Sequence, residues 1–422
     1  MSENIIRSNY EVAFEHYQKI GVDVNEALKS LDNLSVSLPC WQGDDVCGFE
    51  PAGGELSGGG IIATGTYPGK ATNIEELQKD LAITFSLIPG RHRLNLHAIY
   101  GDFNGKRVER NSIGTSYFLS WIDWAKENNL GLDFNSTLFS HPMAESNYTL
   151  SSLDDTVCNF WIDHVKCCRE ISAWIGRRLS TPCLHNLWIP DGSKDTPVTR
   201  FDHRERLKNS LDTIFGLRYP RGELIDSVEG KLFGIGSESY VVGSYDFYLA
   251  WALTNRILLC LDMGHFHPTE SVADKVSALL PFCQELVLHL SRGIRWDSDH
   301  VVIQNDELVS LAQEIVRANA LNRVHLGLDF FDASINRIGA WVIGARATLK
   351  AFLFALLEPT DTLRTLEKEG NDFTRLALLE EAKSLPWGSV WEYFCLQNEV
   401  PGDGQWQNIV QDYEIRELGK RS

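Results

Sequence analysis

Ile257-Leu-Leu-Cys-Leu261 followed by Asp262-Met-Gly-His265-Phe-His267-Pro-Thr-Glu270 is a short, unbroken apolar run that ends at a carboxylate and an imidazole. A run of this length, bounded by polar residues, reads as a strand buried on both faces of a parallel sheet. In parallel sheets and barrels the ligand crevice lies beyond the carboxyl ends of the strands, so Asp262 and His265 stand where chemistry is expected.

The same grammar recurs on both sides of this stretch. Ser35–Trp41, Arg93–Ile99, Leu130–Asn135, Pro182–Ile189 and Leu224–Lys231 read as five earlier strands, and Glu285–Ser291 and Val324–Phe330 as two later ones. Helical spacing fills the intervals at Ile74–Leu87, Phe118–Asn128, Leu153–Arg178, Arg204–Ile214, Phe247–Asn255, Ser271–Leu280 and Leu308–Ala318. The longest of these places Leu153, Val157, Phe160, Cys167, Ile171 and Trp174 near one stripe. Strict alternation of strands and helices predicts an α/β fold, a (β/α)8 TIM barrel with an N-terminal helix and a helical C-terminal extension. The expected divisions are a helical segment over 1–34, a catalytic barrel over 35–334 and an extension over 335–422. Helices are expected in that extension at Leu349–Leu357, Leu376–Leu385 and Trp391–Gln397, packing on the barrel or on another subunit. The glycine-rich stretch after Trp41, with Gly58-Gly-Gly60, reads either as a lid or as a surface excursion.

Composition bounds the function. The chain of 422 residues is 43% apolar and 23% charged, enough to bury a large core. A net charge of −18 argues against duplex DNA, RNA or an anionic membrane as the main partner. Nine scattered cysteines without a CxxC pair fit reduced thiols in a cytoplasmic protein. There is no secretory leader pattern at MSENIIRSNYEV and no unbroken apolar run of membrane-spanning length.

Four consecutive strands each carry a potential metal ligand near the carboxyl end: Glu229, Asp262, His289 and Asp329. Strand ends converge at a barrel mouth, and three carboxylates with one imidazole suit Mn2+, Co2+, Zn2+ or Mg2+. Asp297 and Asp299, spaced i, i+2, are placed by an extended loop on one side, where with His265 they form a second, more open set. Plainer roles exist for each residue alone. A strand-end acid serves as a helix cap or turn residue, His289 as a hydrogen-bonded core histidine, and Lys231, read as sharing a strand face with Glu229, as its ion-pair partner. Seven such groups at one mouth favour metal. Gly65–Ala71 lacks the spacing of a phosphate-binding loop, Gly234-Ile-Gly236 lacks the third dinucleotide-binding glycine, and neither GxSxG nor HExxH occurs.

The segments SVSLPCWQGDDV, RLNLHAIY, GLDFN, LWIPDG, KLFGIGSESY, LDMGHFHPTE, WDSDHVV and GLDFFDASINRIGAWVIG together resemble the L-rhamnose isomerase family over nearly the whole chain. The resemblance implies a metal-dependent aldose-ketose isomerase, active as a homotetramer assembled through the C-terminal helices, with two divalent metals per subunit. These are commonly Mn2+, with Zn2+ or Co2+ as alternatives. It implies a structural metal on Glu229, Asp262, His289 and Asp329, and a catalytic metal on His289, Asp297 and Asp299 with His265 beside it. The implied reaction interconverts L-rhamnose and L-rhamnulose by a C1–C2 hydride shift, with Lys231 stabilising charge at O1 and His97 and Trp188 orienting the sugar. An enediol route with His265 or a carboxylate as base is the chemical rival. An epimerase or isomerase of another sugar and a non-catalytic sugar-binding barrel are the functional ones.

Overall fold

The computed structural model describes residues 1–51, 63, 65–232, 239–294 and 297–421, with 297–299 described as backbone alone. Eight parallel strands close a barrel: β1 (Val36–Pro39), β2 (His92–His97), β3 (Gly131–Asn135), β4 (Cys183–Leu187), β5 (Leu224–Glu229), β6 (Leu258–Asp262), β7 (Leu286–Leu290) and β8 (Val324–Leu328). Each lies beside its neighbour in sequence, and β8 returns to β1 through the register Val36↔Leu326 and Ser37↔Gly327. The expected (β/α)8 architecture is therefore present.

Side chains alternate across each strand, which sorts them into two environments. Leu286, Leu288 and Leu290 of β7 join the large core beneath the outer helices. Val287 joins Leu184, Ile225, Leu258 and Cys260 in a separate apolar cluster contributed by β4 to β7. On the β1 to β3 side the barrel carries polar groups instead. Ser37 Oγ donates to Asp133 (2.7 Å), which also accepts from Arg93 (2.8 Å) and the Leu184 N–H (2.9 Å). Every acceptor there is matched by a donor, which is what makes a buried carboxylate tolerable.

The long helix runs Asp155–Leu179, capped by Asp154 accepting from the Thr156 N–H. Its buried face is turned from the expected stripe: only Ile171 of the six predicted residues is buried, Leu153 is 46% exposed, and Cys158, Trp161, Val165, Cys168, Ser172 and Ile175 face inward. The face also buries His164 and Arg169, whose hydrogen-bonding capacity is met by Asp226 and backbone carbonyls, and a hydrophobicity reading passes over such residues.

The helix expected from Leu349 begins at Arg337 and runs to Leu356. It packs on helices Asp306–Arg317, Val24–Asp32 and Ile74–Phe85, completing the outer layer beside β1. Its start is hidden in sequence by Arg337, Gly339, Gly344 and Arg346, all of them buried or tightly packed. Arg337 pairs with Asp45 (2.8 Å), Arg346 donates to the Leu87, Pro401 and Gly402 carbonyls, and Trp341 Nε1 donates to Pro39 (2.7 Å). Gly43 permits that approach, since a Cβ there would stand 2.6 Å from the Trp341 ring. Gln42 completes the seam, exchanging hydrogen bonds with the Asp332 backbone at 3.0 and 2.7 Å. By length and composition this helix is apolar enough to cross a membrane, yet 83% of that stretch is buried in the protein.

The remaining helices of the C-terminal region are Thr360–Lys368, Asp372–Ala382, Trp387–Gln397 and Gln405–Arg416, the first and last of which were not expected. Trp387–Gln397 packs on the opening helix Glu3–Lys19, with Tyr10 stacked on Tyr393 at 3.8 Å.

Candidate active site and metal centre

Glu229 ends β5, Asp262 ends β6, His289 lies next to the end of β7, and Asp329 follows β8 with its N–H on the Leu290 carbonyl (2.9 Å). Their ligand atoms all lie within 4.8 Å of one another. His289 Nδ1 is 3.2 Å from both Glu229 Oε2 and Asp329 Oδ2, and His265 Nδ1 is 2.9 Å from Glu229 Oε1. Glu229, Asp262, His265 and His289 are buried, and Asp329 is partly open.

Charge is concentrated here without enough positive partners. Burial pushes the Asp262 carboxyl up to about 7, His265 opposes that, and the Asp329 and Glu229 charges add to it. Burial disfavours charge on both histidines, yet the acids around them hold His265 and His289 above their ordinary value. Burial likewise opposes ionisation of Glu229, but His289 and His265 hold it well below the usual range. Glu229 Oε1, His265 Nδ1 and His289 Nδ1 are buried atoms with no hydrogen bond of acceptable geometry. Converging donors left unsatisfied in this way fit a divalent cation, whose charge relieves the mutual repulsion of the acids.

The carboxylates are held from behind. Asn186 Nδ2 donates to Glu229 Oε2 (2.5 Å), and Ser227 Oγ donates to Asn186 Oδ1 (2.8 Å), fixing which end of the amide faces the acid. Asp262 Oδ1 accepts from the Gly264 N–H (2.6 Å) and Ser291 Oγ (2.7 Å). Partners of this kind orient metal ligands and typically carry ~10–100-fold in affinity. Asn186→Ala is expected to lower affinity for Mn2+ by that order in a calorimetric titration, with thermal unfolding retained. Unchanged affinity would reduce Asn186 to a core residue.

The other half of the mouth is aromatic. The ring of Trp41 meets His97 edge-on at 4.8 Å, His97 meets Phe139 at 5.6 Å, and Phe139 meets Trp188 at 6.2 Å. Lys231 Nζ stands 4.9 Å over the Trp188 ring. β5 ends at Glu229, so Lys231 lies beyond the strand rather than on its face: Gly230 packs on the Tyr245 backbone, and the Lys231 N–H bonds to the Gly243 carbonyl (3.1 Å). Among the described residues no ion pair joins Lys231 to Glu229.

His97 is half-buried, ringed by these aromatics, and burial holds its pKa down to about 3. Its Nδ1 is hydrogen-bonded to Thr137 Oγ1 (3.0 Å). Thr137 is set in turn by His164, whose Nε2 accepts from the Thr137 N–H (3.1 Å), and by Arg110, which donates to the Thr137 carbonyl (3.0 Å). His164 Nδ1 must then be the donor to the Arg110 carbonyl (2.9 Å), a pattern only the neutral ring satisfies.

Burial lowers His164 to about 3 and His92 to about 4, from 6.5. The unfolded chain takes up these protons first, so their contribution is complete above pH 6.5 and is lost as pH falls through that window. At pH 5 the two together should cost about 4 kcal/mol, at ~1.4 kcal/mol per pH unit each. Asp44 and Asp262, both held up at about 7, gain stability over the same window, so the histidine contribution is read by difference: on acidification below 6.5 the unfolding midpoint of the parent chain in chelator should fall relative to that of His92→Gln. Midpoints that move in parallel down to pH 5 would contradict the neutral His92.

Of the site residues expected from sequence, Glu229, Asp262, His265, His289 and Asp329 form one cluster, and His97, Trp188 and Lys231 line the mouth with it. The side chains of Asp297 and Asp299 lie outside the described residues, although their backbone forms a ribbon, Asp297–His300 with Arg292–Ile294. Gly58-Gly-Gly60 and the segment 233–238 also lie outside them. Trp41, Phe139, Thr137, Arg110, His164, Asn186, Ser227 and Ser291 were not expected from sequence.

A (β/α)8 barrel whose strand ends gather acids and imidazoles, facing a lysine and an aromatic wall, defines a barrel enzyme with a divalent-cation type of site. The family profile for L-rhamnose isomerase (RhaA) matches residues 4–421. The chain is 54% identical to the L-rhamnose isomerase of Rhodopirellula baltica over 417 residues, covering 99% of this chain and 97% of that one. It is 54% identical to that of Klebsiella pneumoniae (98% of each chain) and 52% identical to that of Yersinia pseudotuberculosis (99% and 100%). The chain belongs to the L-rhamnose isomerase family and is an enzyme.

Proposed function

We propose that this enzyme interconverts L-rhamnose and L-rhamnulose in the cytoplasm, as part of rhamnose breakdown, by moving the carbonyl between C1 and C2 of the opened sugar. The observation that carries the reading is the division of the mouth: Glu229, Asp262, His289 and Asp329 within 4.8 Å on one side, and His97, Trp188 and Lys231 on the other. The first group would hold a structural cation, and His289 with Asp297, Asp299 and neighbouring His265 a catalytic one, both filled by Mn2+ with Zn2+ or Co2+ as substitutes. Bound divalent ions supply Lewis-acid polarisation of O1 and O2. Trp188 offers an aromatic face against which the sugar ring or its opened chain stacks. His97 stays uncharged, and with Nδ1 committed to Thr137 it has Nε2 left for a sugar hydroxyl. Lys231 Nζ balances negative charge developing at O1 as hydrogen moves from C2 to C1. Supporting a homotetramer, helix Asp372–Ala382 buries no residue within one chain, and Phe373 is 84% exposed.

The test is product analysis of purified protein given L-rhamnose labelled with deuterium at C2, in Mn2+. L-Rhamnulose carrying the label at C1 is expected. Label lost to solvent would replace the hydride shift with the enediol route, and a different sugar product would replace the substrate.

A further inference from the structure

Cys260 sits one inward position below Asp262 on β6, among the apolar side chains of the barrel interior. Its sulfur lies within 4.8 Å of a Glu229 oxygen and a His289 nitrogen, which lie within that distance of each other. Cys260 is 2% exposed, Glu229 3% and His289 3%, and the thiol is free of any disulfide. Glu229 Oε1 and His289 Nδ1 are the buried, unsatisfied atoms noted above. Two donor sets therefore share Glu229 and His289. One adds Asp262 and Asp329 at the mouth; the other adds sulfur at the floor.

The two sets differ in softness. Oxygen donors suit Mn2+ and Mg2+, whereas a thiolate selects thiophilic ions such as Cd2+ and Zn2+. Gly327 of β8 faces His289 in register, and a Cβ there would stand only 3.2 Å from the ring, so a glycine at this position lets the imidazole keep its place. Zinc binds sulfur at ~2.3 Å and imidazole nitrogen at ~2.0–2.1 Å, so donors spread over a few ångströms close on an ion with modest side-chain rotation.

We propose that Cys260, Glu229 and His289 form a second cation-binding mode, selective for thiophilic divalent ions, at the floor of the site. The proposal rests on the metal reading of Glu229 and His289 given above. As the ion binds, a sulfur–metal bond forms and the thiol proton leaves to solvent, with no change of oxidation state. Because both modes use Glu229 and His289, an ion held at the floor excludes one at the mouth.

The experiment uses the full chain, stripped with chelator and titrated with Cd2+. Binding is counted by equilibrium dialysis, and sulfur ligation is read from the ultraviolet sulfur-to-cadmium charge-transfer band. The band should grow with bound Cd2+, disappear in both Cys260→Ser and Cys260→Ala, and persist in Cys283→Ser, whose thiol is outside the barrel interior. Using two substitutions at Cys260 keeps the reading available if one of them unfolds. Cd2+ that binds with the same band in both Cys260 variants, or with no band in the parent chain, overturns the sulfur mode and leaves the carboxylate site standing. No bound Cd2+ overturns both.

Discussion

Protein stripped of divalent cations should form no L-rhamnulose from L-rhamnose, and return of Mn2+ should restore the full rate. The reason is electrostatic before it is catalytic. Three acids and an imidazole converge within 4.8 Å, and burial, with the Asp329 and Glu229 charges adding to it, pushes Asp262 up to about 7. Such a cluster needs added positive charge to be ordered and ionised together. Glu229→Gln isolates this requirement. The substitution keeps the shape but removes the charge that faces both His265 and His289, and it sets a second amide against Asn186. Breaking a buried charge set in this way costs ~3–5 kcal/mol, so Mn2+ affinity should fall by more than a hundredfold. Full activity in chelator, in protein shown to be folded, would remove the metal from the reaction.

Lys231→Met should leave folding and Mn2+ uptake intact while kcat falls by ~10²–10³, the usual scale for losing one group aimed at a developing oxyanion. Among the described residues the ammonium makes no ion pair with the four clustered ligands, and it stands 4.9 Å over the Trp188 ring. The loss should therefore appear in kcat more than in metal affinity. Near-normal turnover would assign Lys231 to supporting Trp188 alone.

The barrel was legible because strands buried on both faces, such as β6 and β7, write short apolar runs, and Asp262 was legible because it ends one of them. Asn186 carried a fainter signal: it is the polar member of the series Leu184, Asn186, Trp188 and lies on a wholly buried strand. Its role depends on Glu229 lying on the next strand, 43 residues away, and that register is set by packing rather than by local sequence. Thr137, His164 and Arg110 were hidden for a related reason. They act on His97 through hydrogen bonds between the segment just past β3, a helix interior and the short helical turn Arg110–Ser112, and contacts between such separate elements leave no periodic pattern. The phase of Asp155–Leu179 was misread because polar residues satisfied by buried partners occupy its inner face. Lys231 was misplaced onto the strand because Gly230 ends the ladder without any change in hydrophobicity.

The seam between β1 and β8 also sets a timetable. Gln42 and Asp45 wait for partners 290 and 292 residues further along the chain, and β1 waits equally for its second neighbour. At ribosomal rates of ~5–20 residues per second, that delay is roughly 15–60 s. Throughout it the nascent protein exposes a strand edge and an uncovered apolar surface, the features that invite pairing between chains. Closing the ring is thus a late, long-range event, and the growing polypeptide stays open until its last fifth begins to emerge.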